Sequence, residues 1–273
     1  DRSSAASDVY KRQGQIDVVN CRYITFSNGK AYVSSYAGPV GIDPNARPGK
    51  VVEVDTTNLA ITREVVVGYQ PEEMVIKDGK LYVANSGGYR FPDYDRTVSV
   101  IDLKTFQVIK TIDVAINLHH MKLDRYGRIY VSSRGDYYGT GSNVFVIDTQ
   151  TDRVTGSLGI AASEMCLSGD SIYMTSVEWS YVTESNTITY ALYDVKQNKM
   201  VSRNFITDGT EAEIAIPYGV TVNPETKEIF VTDAKSYVVP GYLYCFSPEG
   251  KKRWKVRAGD IPAHFAFTTK IFQ

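Results

Sequence analysis

The chain has 273 residues, of which 43% are hydrophobic and 22% are charged, and its formal net charge is −1. This balance allows a large core, and it excludes both the positive field that attracts nucleic acid and a polybasic patch for an anionic membrane surface. No run approaches the roughly 18 apolar residues of a transmembrane span, and the three cysteines, Cys21, Cys166 and Cys245, lack the spacing of a zinc site or a disulfide framework, so we expect free, buried thiols.

Residues 1–13 do not share the pattern of the rest of the chain. The string from Ser3 to Gln13 resembles a translated sequencing adapter, so we interpret residues 1–13 as a non-native leader and exclude them from the fold. The alternative is a genuine disordered polar leader. With an artificial leader, we expect the natural start to be missing, together with any export signal or lipid-attachment cysteine.

From Gly14 onward one pattern occurs five times: a short apolar stretch, a turn, an aromatic-centred strand, a loop, and a strand that ends at or near Asp. The aromatic residues at the strand centres are separated by 50, 48, 43 and 57 residues; they are Tyr32, Tyr82, Tyr130, Tyr173 and Phe230. A repeat of this period built from strands is typical of propeller blades. The sequence therefore predicts an all-β fold, a β-propeller of four-stranded blades, as a single domain over residues 14–273.

The second repeat serves as the template for a blade. We predict strand A at 73–77, strand B at 80–85, strand C at 97–102 and strand D at 107–114, with a type I′ hairpin at Asp78-Gly79. The Asp that follows strand C is expected to cap its turn through the backbone, without a catalytic role. The other repeats align with this template, with A strands at 23–26, 121–123, 165–167 and 220–222 and C strands at 50–55, 143–148, 187–194 and 242–246.

Both ends of the repeat region indicate an interrupted ring. Residues 16–18 match the end of a strand D, and residues 261–267 match a strand A without partners B, C and D. Propellers usually close by pairing a terminal strand with strands from the other end of the chain. We therefore expect about five complete blades here and seven in the intact protein, with the N-terminal blades missing.

Strands of a blade are antiparallel, so the B–C loops and the D–A connections must share one face, and the short A–B and C–D turns must share the other. The B–C loops, at 35–49, 86–96, 133–142, 177–186 and 234–241, combine aromatic residues with Gly and charges, which is typical of a binding surface. The alternative is that these rings pack onto the blade edges. The candidate ligand-binding residues on these loops are Tyr36, Tyr89, Arg90, Phe91, Tyr94, Arg134, Asp136, Tyr137, Tyr138, Glu178, Trp179, Tyr181 and Tyr237.

The D–A connections add polar residues around the predicted channel mouth. These are Arg22, Glu72, His119, Glu164, Tyr218 and His264, with Glu73 and His120 beside them. His119 and His120 are adjacent, and alternation along a strand would send them to opposite faces, so we expect no shared metal ion. The sequence contains no nucleophile elbow, zincin helix or phosphate-binding loop. We therefore predict no catalytic residues, no metal and no cofactor, and we interpret the protein as not an enzyme.

The phrases Tyr82 to Gly88 and Val98 to Thr105 resemble the YVTN-type propeller repeat. A narrower resemblance, to surface propellers of Bacteroidetes, covers nearly everything from Gly14 onward, and it is carried by residues 82–94, 131–138, 178–181, 204–210, 218–224 and 261–267. Studied members of that group are lipoproteins that capture cobalamin and pass it to a TonB-dependent outer-membrane transporter.

The resemblance implies a seven-bladed propeller at the cell surface, anchored as an outer-membrane lipoprotein. It also implies a corrinoid as bound ligand and the transporter as partner, with no nucleic acid and no transmembrane span. A corrin ring is broad, with apolar edges and amide arms, and suits an aromatic rim with scattered charges. The rival interpretations are a protein–protein interaction propeller and a propeller lyase or hydrolase.

Overall fold

The computed structural model describes residues 14–38 and 40–268, in which strands form five four-stranded antiparallel sheets. Blade 1 contains β1 (Cys21–Ser27), β2 (Lys30–Ser35), β3 (Lys50–Asp55) and β4 (Ile61–Val66). Blade 2 contains β5 (Pro71–Lys77), β6 (Lys80–Asn85), β7 (Thr97–Asp102) and β8 (Gln107–Asp113). Blade 3 contains β9 (Leu118–Leu123), β10 (Arg128–Ser133), β11 (Asn143–Asp148) and β12 (Arg153–Ser157).

Blade 4 contains β13 (Glu164–Ser168), β14 (Ser171–Ser180), β15 (Ser185–Asp194) and β16 (Lys199–Ser202). Blade 5 contains β17 (Pro217–Val222), β18 (Ile229–Asp233), β19 (Pro240–Phe246) and β20 (Lys252–Asp260). A single 3-10 turn, Thr210–Glu213, is the only helical element over the described ranges. The prediction of a β-propeller of four-stranded blades is confirmed, and no helix of the described chain is long and apolar enough to cross a membrane.

Local turn chemistry fixes the blade boundaries. Asn28 and Gly29, and likewise Asp78 and Gly79, all have positive φ, as a type I′ hairpin requires. The predicted capping role of the Asp after strand C is also confirmed, since in blade 2 the Asp102 carboxylate accepts a hydrogen bond from the Thr105 N–H at 2.7 Å. In blades 1, 3 and 4 the carboxylates of Asp55, Asp148 and Asp194 likewise accept a hydrogen bond from a backbone N–H two or three residues further along the chain.

Three predictions at the edges of the pattern are wrong. Residues 177–180 and 185–186 are strand rather than loop, because β14 and β15 continue as a hairpin whose turn is residues 181–184. Residues 16–18 and 261–267 form no strand, although Ile16 and Val18 pack against blade 1 and the Ala263 carbonyl lies close to Gly219 of β17. Cys21 is exposed, whereas Cys166 is partly buried and Cys245 is buried. The predicted leader, residues 1–13, lies outside the described residues.

The core lies between neighbouring blades, where one apolar cluster fills each of the four interfaces. Four of the five strand-B aromatics lie at these interfaces, whereas Phe230 of blade 5 contacts Trp254, Phe265 and Phe267. Tyr82 is fully buried, and its hydroxyl donates a hydrogen bond of 2.6 Å to Asp152 of blade 3. Arg63 connects blades 1 and 2, because it pairs with Glu53 and also donates 3.0 Å hydrogen bonds to two carbonyls of the blade 2 C–D turn. Polar contacts therefore connect blades 1, 2 and 3 around the apolar centres of their interfaces.

A β-bulge recurs in strand A. In β9, three residue steps from Leu118 to Met121 oppose two steps from Ser133 to Val131 in β10. β1, β5 and β17 have an equivalent register shift. A bulge re-aims side chains and bends the strand. Because the A strands of successive blades lie side by side around the axis, these bulges determine which side chains face the channel.

Candidate functional site

The B–C loops and the D–A connections lie on the same face. In blade 2 the N–H of Ser86 donates to the Gln70 carbonyl at 3.1 Å, and in blade 3 the N–H of Arg134 donates to the Asn117 carbonyl at 3.0 Å. Loops of neighbouring blades also meet, since the Asp43 N–H donates to the Tyr89 carbonyl at 2.8 Å. The long loops and the channel mouth therefore form one continuous surface.

Loops of blades 2, 3 and 4 bring predicted aromatics together. The Phe91 ring centroid lies 6.1 Å from that of Tyr94 and 6.1 Å from that of Tyr138. Tyr138 stacks on Tyr181 at 5.0 Å with an interplanar angle of 19°, and Tyr181 lies edge-on to Trp179 at 6.2 Å. We call these five residues and the adjoining Tyr137 the aromatic rim.

The aromatic rim is open to solvent. Tyr138 is 55% exposed and Tyr181 is 57% exposed. Beside them, between blades 3 and 4, is a cleft of about 220 Å³ whose lining includes Arg134, Tyr137, Tyr138, Glu178 and Trp179; we call it the rim cleft. Exposed rings on a shared surface next to a cleft are able to bind a flat apolar ligand.

Three of the predicted polar contacts shape the loops. Asp136 accepts three backbone N–H hydrogen bonds, from Tyr138, Gly139 and Thr140, which lowers the pKa of its carboxyl group. Glu178 accepts a 2.5 Å hydrogen bond from the Ser142 N–H, so it fixes the loop of blade 3 to the hairpin of blade 4. Arg90 stacks on the ring of Tyr69 at 3.8 Å.

Backbone geometry also sets the position of the aromatic rim. Gly135 has φ +67° and Tyr137 has φ +66°, in the left-handed region that is costly for a tyrosine. A Cβ on Gly135 would lie 1.9 Å from the Thr140 carbonyl oxygen, so only glycine fits there. The loop of blade 3 is therefore tightly closed beneath Tyr138.

The remaining predicted aromatics form two separate pairs. Tyr36 and Tyr89 are in edge contact at 6.1 Å, and Tyr218 and Tyr237 at 5.7 Å. Tyr36 is only 5% exposed and its hydroxyl donates to Glu72, so it packs inward as the alternative interpretation expected. Neither pair is in ring contact with the aromatic rim among the described residues.

A larger cavity of about 870 Å³ occupies the axis, and we call it the channel cavity. Of the residues predicted at the channel mouth, Arg22, His119, Glu164, Tyr218 and His264 line it. Glu72 is 1% exposed and lies just behind the lining, in contact with Arg22.

A charged network crosses the channel cavity. His120 Nδ1 is 2.8 Å from Glu73 Oε2 of blade 2, and its Nε2 is 2.8 Å from Glu164 Oε1 of blade 4. Lys122 Nζ lies 2.5 Å from the other oxygen of Glu73. Burial disfavours the imidazolium, but Glu164 and Glu73 outweigh it and raise the pKa of His120. Burial likewise opposes the Glu73 carboxylate, yet Lys122 and His120 lower its pKa to about 2.

The two histidines face the same side, which corrects the expectation from alternation. Their ring centroids are 3.8 Å apart, because the bulge in β9 turns consecutive side chains toward the axis. His119 Nε2 lies 2.9 Å from the Tyr23 hydroxyl. Burial and the charges of His120, Arg134 and Arg22 hold the pKa of His119 well below its usual value. Within the described ranges, no group of three or more His, Cys, Asp or Glu side chains is arranged to hold a metal ion.

Sequence reasoning missed Tyr23 and Lys122, and it placed Glu73 and His120 at the channel mouth without predicting that they form an ion pair. The repeat contains the signal for Tyr23, Glu73 and His120. Together with Glu164, these residues occupy the same position in successive A strands, one residue before Ile24, Met74, Met121 and Met165. Because this position is equivalent in the four A strands, its side chains lie at one level of the channel.

Comparison with solved structures supports the fold. The chain is similar to hydrazine synthase of Kuenenia stuttgartiensis, with a TM-score of 0.65 and 19% identity over 92% of this chain and 69% of that one. It is also similar to a functionally unknown protein from Desulfotomaculum acetoxidans (0.61, 12% identity, 93% and 76% covered) and to Sqt1 of Saccharomyces cerevisiae (0.58, 11%, 92% and 66%). No protein-family model matches the chain, and neither does any curated protein. At these identities the similarity shows the β-propeller fold alone.

Proposed function

We propose that this protein is a surface-exposed binding protein that captures a corrinoid such as cobalamin, without catalysing a reaction. In this proposal it is held at the outer membrane by a lipid anchor and passes the ligand to a TonB-dependent transporter. The proposal combines the resemblance to the Bacteroidetes surface propellers with the surface formed by the aromatic rim.

The observation that carries the proposal is the continuity of the aromatic rim across three blades. Ring contacts run from Tyr94 through Phe91, Tyr138 and Tyr181 to Trp179. A monomeric protein normally exposes large apolar groups singly, whereas a contiguous set marks a binding surface. A broad ring with apolar edges would contact several of these aromatics at once.

Polar groups around the rim cleft suit amide arms. Arg134 and Glu178 line it beside Tyr138 and Trp179, so guanidinium donors and carboxylate acceptors lie next to the aromatic surface. Pockets for small molecules typically combine an apolar lining with a few polar groups that set orientation. This combination supports an amide-rich ligand over a small ion.

The test is calorimetric titration with cyanocobalamin. Removing an aromatic anchor typically costs about 2 kcal/mol or more of binding free energy, and about 1.4 kcal/mol is one decade in Kd. We expect Trp179→Ala and Tyr138→Ala each to raise Kd at least tenfold. Tyr126→Ala is the matched control, because this tyrosine is also exposed, at 43%, but lies in the A–B turn on the opposite face.

An unchanged Kd in both rim variants would place the corrinoid elsewhere. No binding by the wild type would remove the corrinoid and favour a polypeptide partner. One observation supports that second candidate: the blade 4 hairpin carries Val182, 74% exposed, at its turn beside Tyr181. A peptide could pack an apolar side chain there.

A further inference from the structure

Two arginines converge on one buried carboxylate at the mouth of the channel cavity. Arg22 Nε lies 3.5 Å from Glu72 Oε2, and Arg134 Nη1 lies 3.9 Å from Glu72 Oε1. Tyr36 already donates a hydrogen bond to Glu72 Oε1, and Ser86 Oγ lies 3.3 Å from the same oxygen. Each guanidinium has five N–H donors. Glu72 is in contact with four groups, and both arginines lie at long distances from it. Most of the guanidinium N–H groups are therefore able to donate to another acceptor.

The charges deeper in the channel cavity are balanced. His120 is paired between Glu73 and Glu164, and Lys122 is paired with Glu73. Together with Arg22, Arg134 and Glu72, four cationic groups face three carboxylates around this cavity. The excess positive charge is at the mouth, where the two arginines share one counter-ion.

His119 adds a buried donor beside the arginines. His120 Nδ1 lies 2.8 Å from Glu73 Oε2 and donates its proton there, so it cannot also accept from the Tyr23 hydroxyl. The hydroxyl therefore donates to His119 Nε2, the other nitrogen within its reach, at 2.9 Å. A neutral imidazole has one acceptor and one donor nitrogen, which puts the proton of His119 on Nδ1. That atom is buried and has no hydrogen-bond partner among the described residues.

We propose that the mouth of the channel cavity is an oxyanion subsite, in which Arg22 and Arg134 bind a carboxylate or phosphate group and His119 supplies a further N–H donor. Guanidinium groups match both oxyanions because their planar forks donate paired hydrogen bonds. The two side chains are 39% and 31% exposed, and this partial burial strengthens their contacts relative to bulk water.

Arg134 also connects this subsite to the surface of the aromatic rim. It lines both the channel cavity and the rim cleft. One ligand could therefore lay an apolar body on the rings and direct an anionic arm to the arginines. This extension rests on the proposed function, whereas the oxyanion subsite itself does not depend on it.

The experiment is titration of the protein with inorganic phosphate, and separately with acetate, at constant ionic strength, followed by calorimetry and by the shift in Tm. A ligand that binds only the folded state raises Tm with its concentration. We expect phosphate, acetate or both to bind the wild type, and Arg22→Gln and Arg134→Gln each to weaken that binding at least tenfold. The relative affinities of the two anions then assign the subsite to phosphate or to carboxylate.

Arg153→Gln is the matched control, since it removes the same charge from the outer strand of the same blade as Arg134. We expect it to bind as the wild type does, and Arg134→Lys, which keeps the charge and loses the fork, to lie between. If Arg22→Gln does not fold, the comparison of Arg134→Gln and Arg134→Lys with the wild type tests the inference. Equal affinities in wild type and Arg134→Gln, or no binding of either anion, would overturn the inference.

The same titrations separate this inference from the proposed function. Tyr138→Ala should bind the anion with unchanged affinity. If the protein binds the anion but not cyanocobalamin, only the corrinoid proposal is refuted. If it binds cyanocobalamin but the Arg22 and Arg134 variants bind the anion as the wild type does, only the oxyanion subsite is refuted.

Discussion

Replacing Gly135 by alanine should open the loop of blade 3, which carries Tyr137 and Tyr138 of the aromatic rim. The residue has φ +67°, and its new Cβ would lie 1.9 Å from the Thr140 carbonyl oxygen, which is backbone and cannot swing away. The left-handed conformation alone costs of order 1–3 kcal/mol, and the clash forces the loop to open. The hydrogen bond from the Asp136 N–H to the same carbonyl, 3.0 Å long, would be lost as well.

We expect Gly135→Ala to lower the free energy of unfolding by about 2 kcal/mol, which for a domain of this size corresponds to a fall in Tm of about 4–8 °C. Gly139→Ala in the same loop is the control, because its φ is not in the left-handed region and a Cβ there meets nothing within 4 Å. It should change stability by less than about 0.5 kcal/mol, as most surface substitutions do.

Urea unfolding followed by tryptophan fluorescence is the appropriate assay. The chain has two tryptophans, and a Trp254→Phe background leaves Trp179, which lines the rim cleft beside this loop. A shifted native-state emission in Gly135→Ala would report local opening, and a lower midpoint would report global destabilisation. Native emission and midpoint both equal to those of Gly139→Ala would refute the steric argument.

Two further predictions concern charged groups. Glu164 and Glu73 raise the pKa of His120 against the effect of burial. The stability that its charged form contributes is therefore complete below the unfolded pKa of about 6.5, and it is lost as the pH rises through the folded pKa. Above about pH 6.5 the urea midpoint should fall less in His120→Gln than in the wild type, and parallel pH profiles of the two proteins would contradict this. Arg63→Met leaves the buried Glu53 carboxylate without its main partner and should cost about 2 kcal/mol. In a double-mutant cycle, Glu53→Gln should recover part of that loss, and simple additivity would argue against the pairing.

The blades could be predicted because each boundary is encoded locally. β6 and β7 begin and end at the predicted residues, since Asp78-Gly79 fixes the hairpin and Asp102 fixes the next turn. The blade 4 hairpin was misjudged because its turn contains neither Gly nor Pro, and Glu184 takes positive φ instead. Strand boundaries can therefore be predicted from the sequence only where the turn contains a recognisable turn residue.

The site could be predicted only in part, for a related reason. Aromatics in loops are conspicuous in a sequence, so the rings around Tyr138 were found. The contact between His120 and Glu73 joins residues 47 apart in the chain, and it depends on a bulge in β9 that no residue type announces. Simple alternation placed the two histidines on opposite faces, and the bulge reverses that outcome.

The recurrent bulge has a consequence for engineering this scaffold. In β1 and β9 it turns a pair of neighbouring side chains toward the axis, Arg22 and Tyr23 in the first and His119 and His120 in the second. The apolar residues that follow, such as Met121, remain in the interblade core. The residues that face the axis can therefore be changed without changing those that pack between the blades. A combinatorial library confined to these pairs of neighbouring residues would sample new polar channel linings on the same framework.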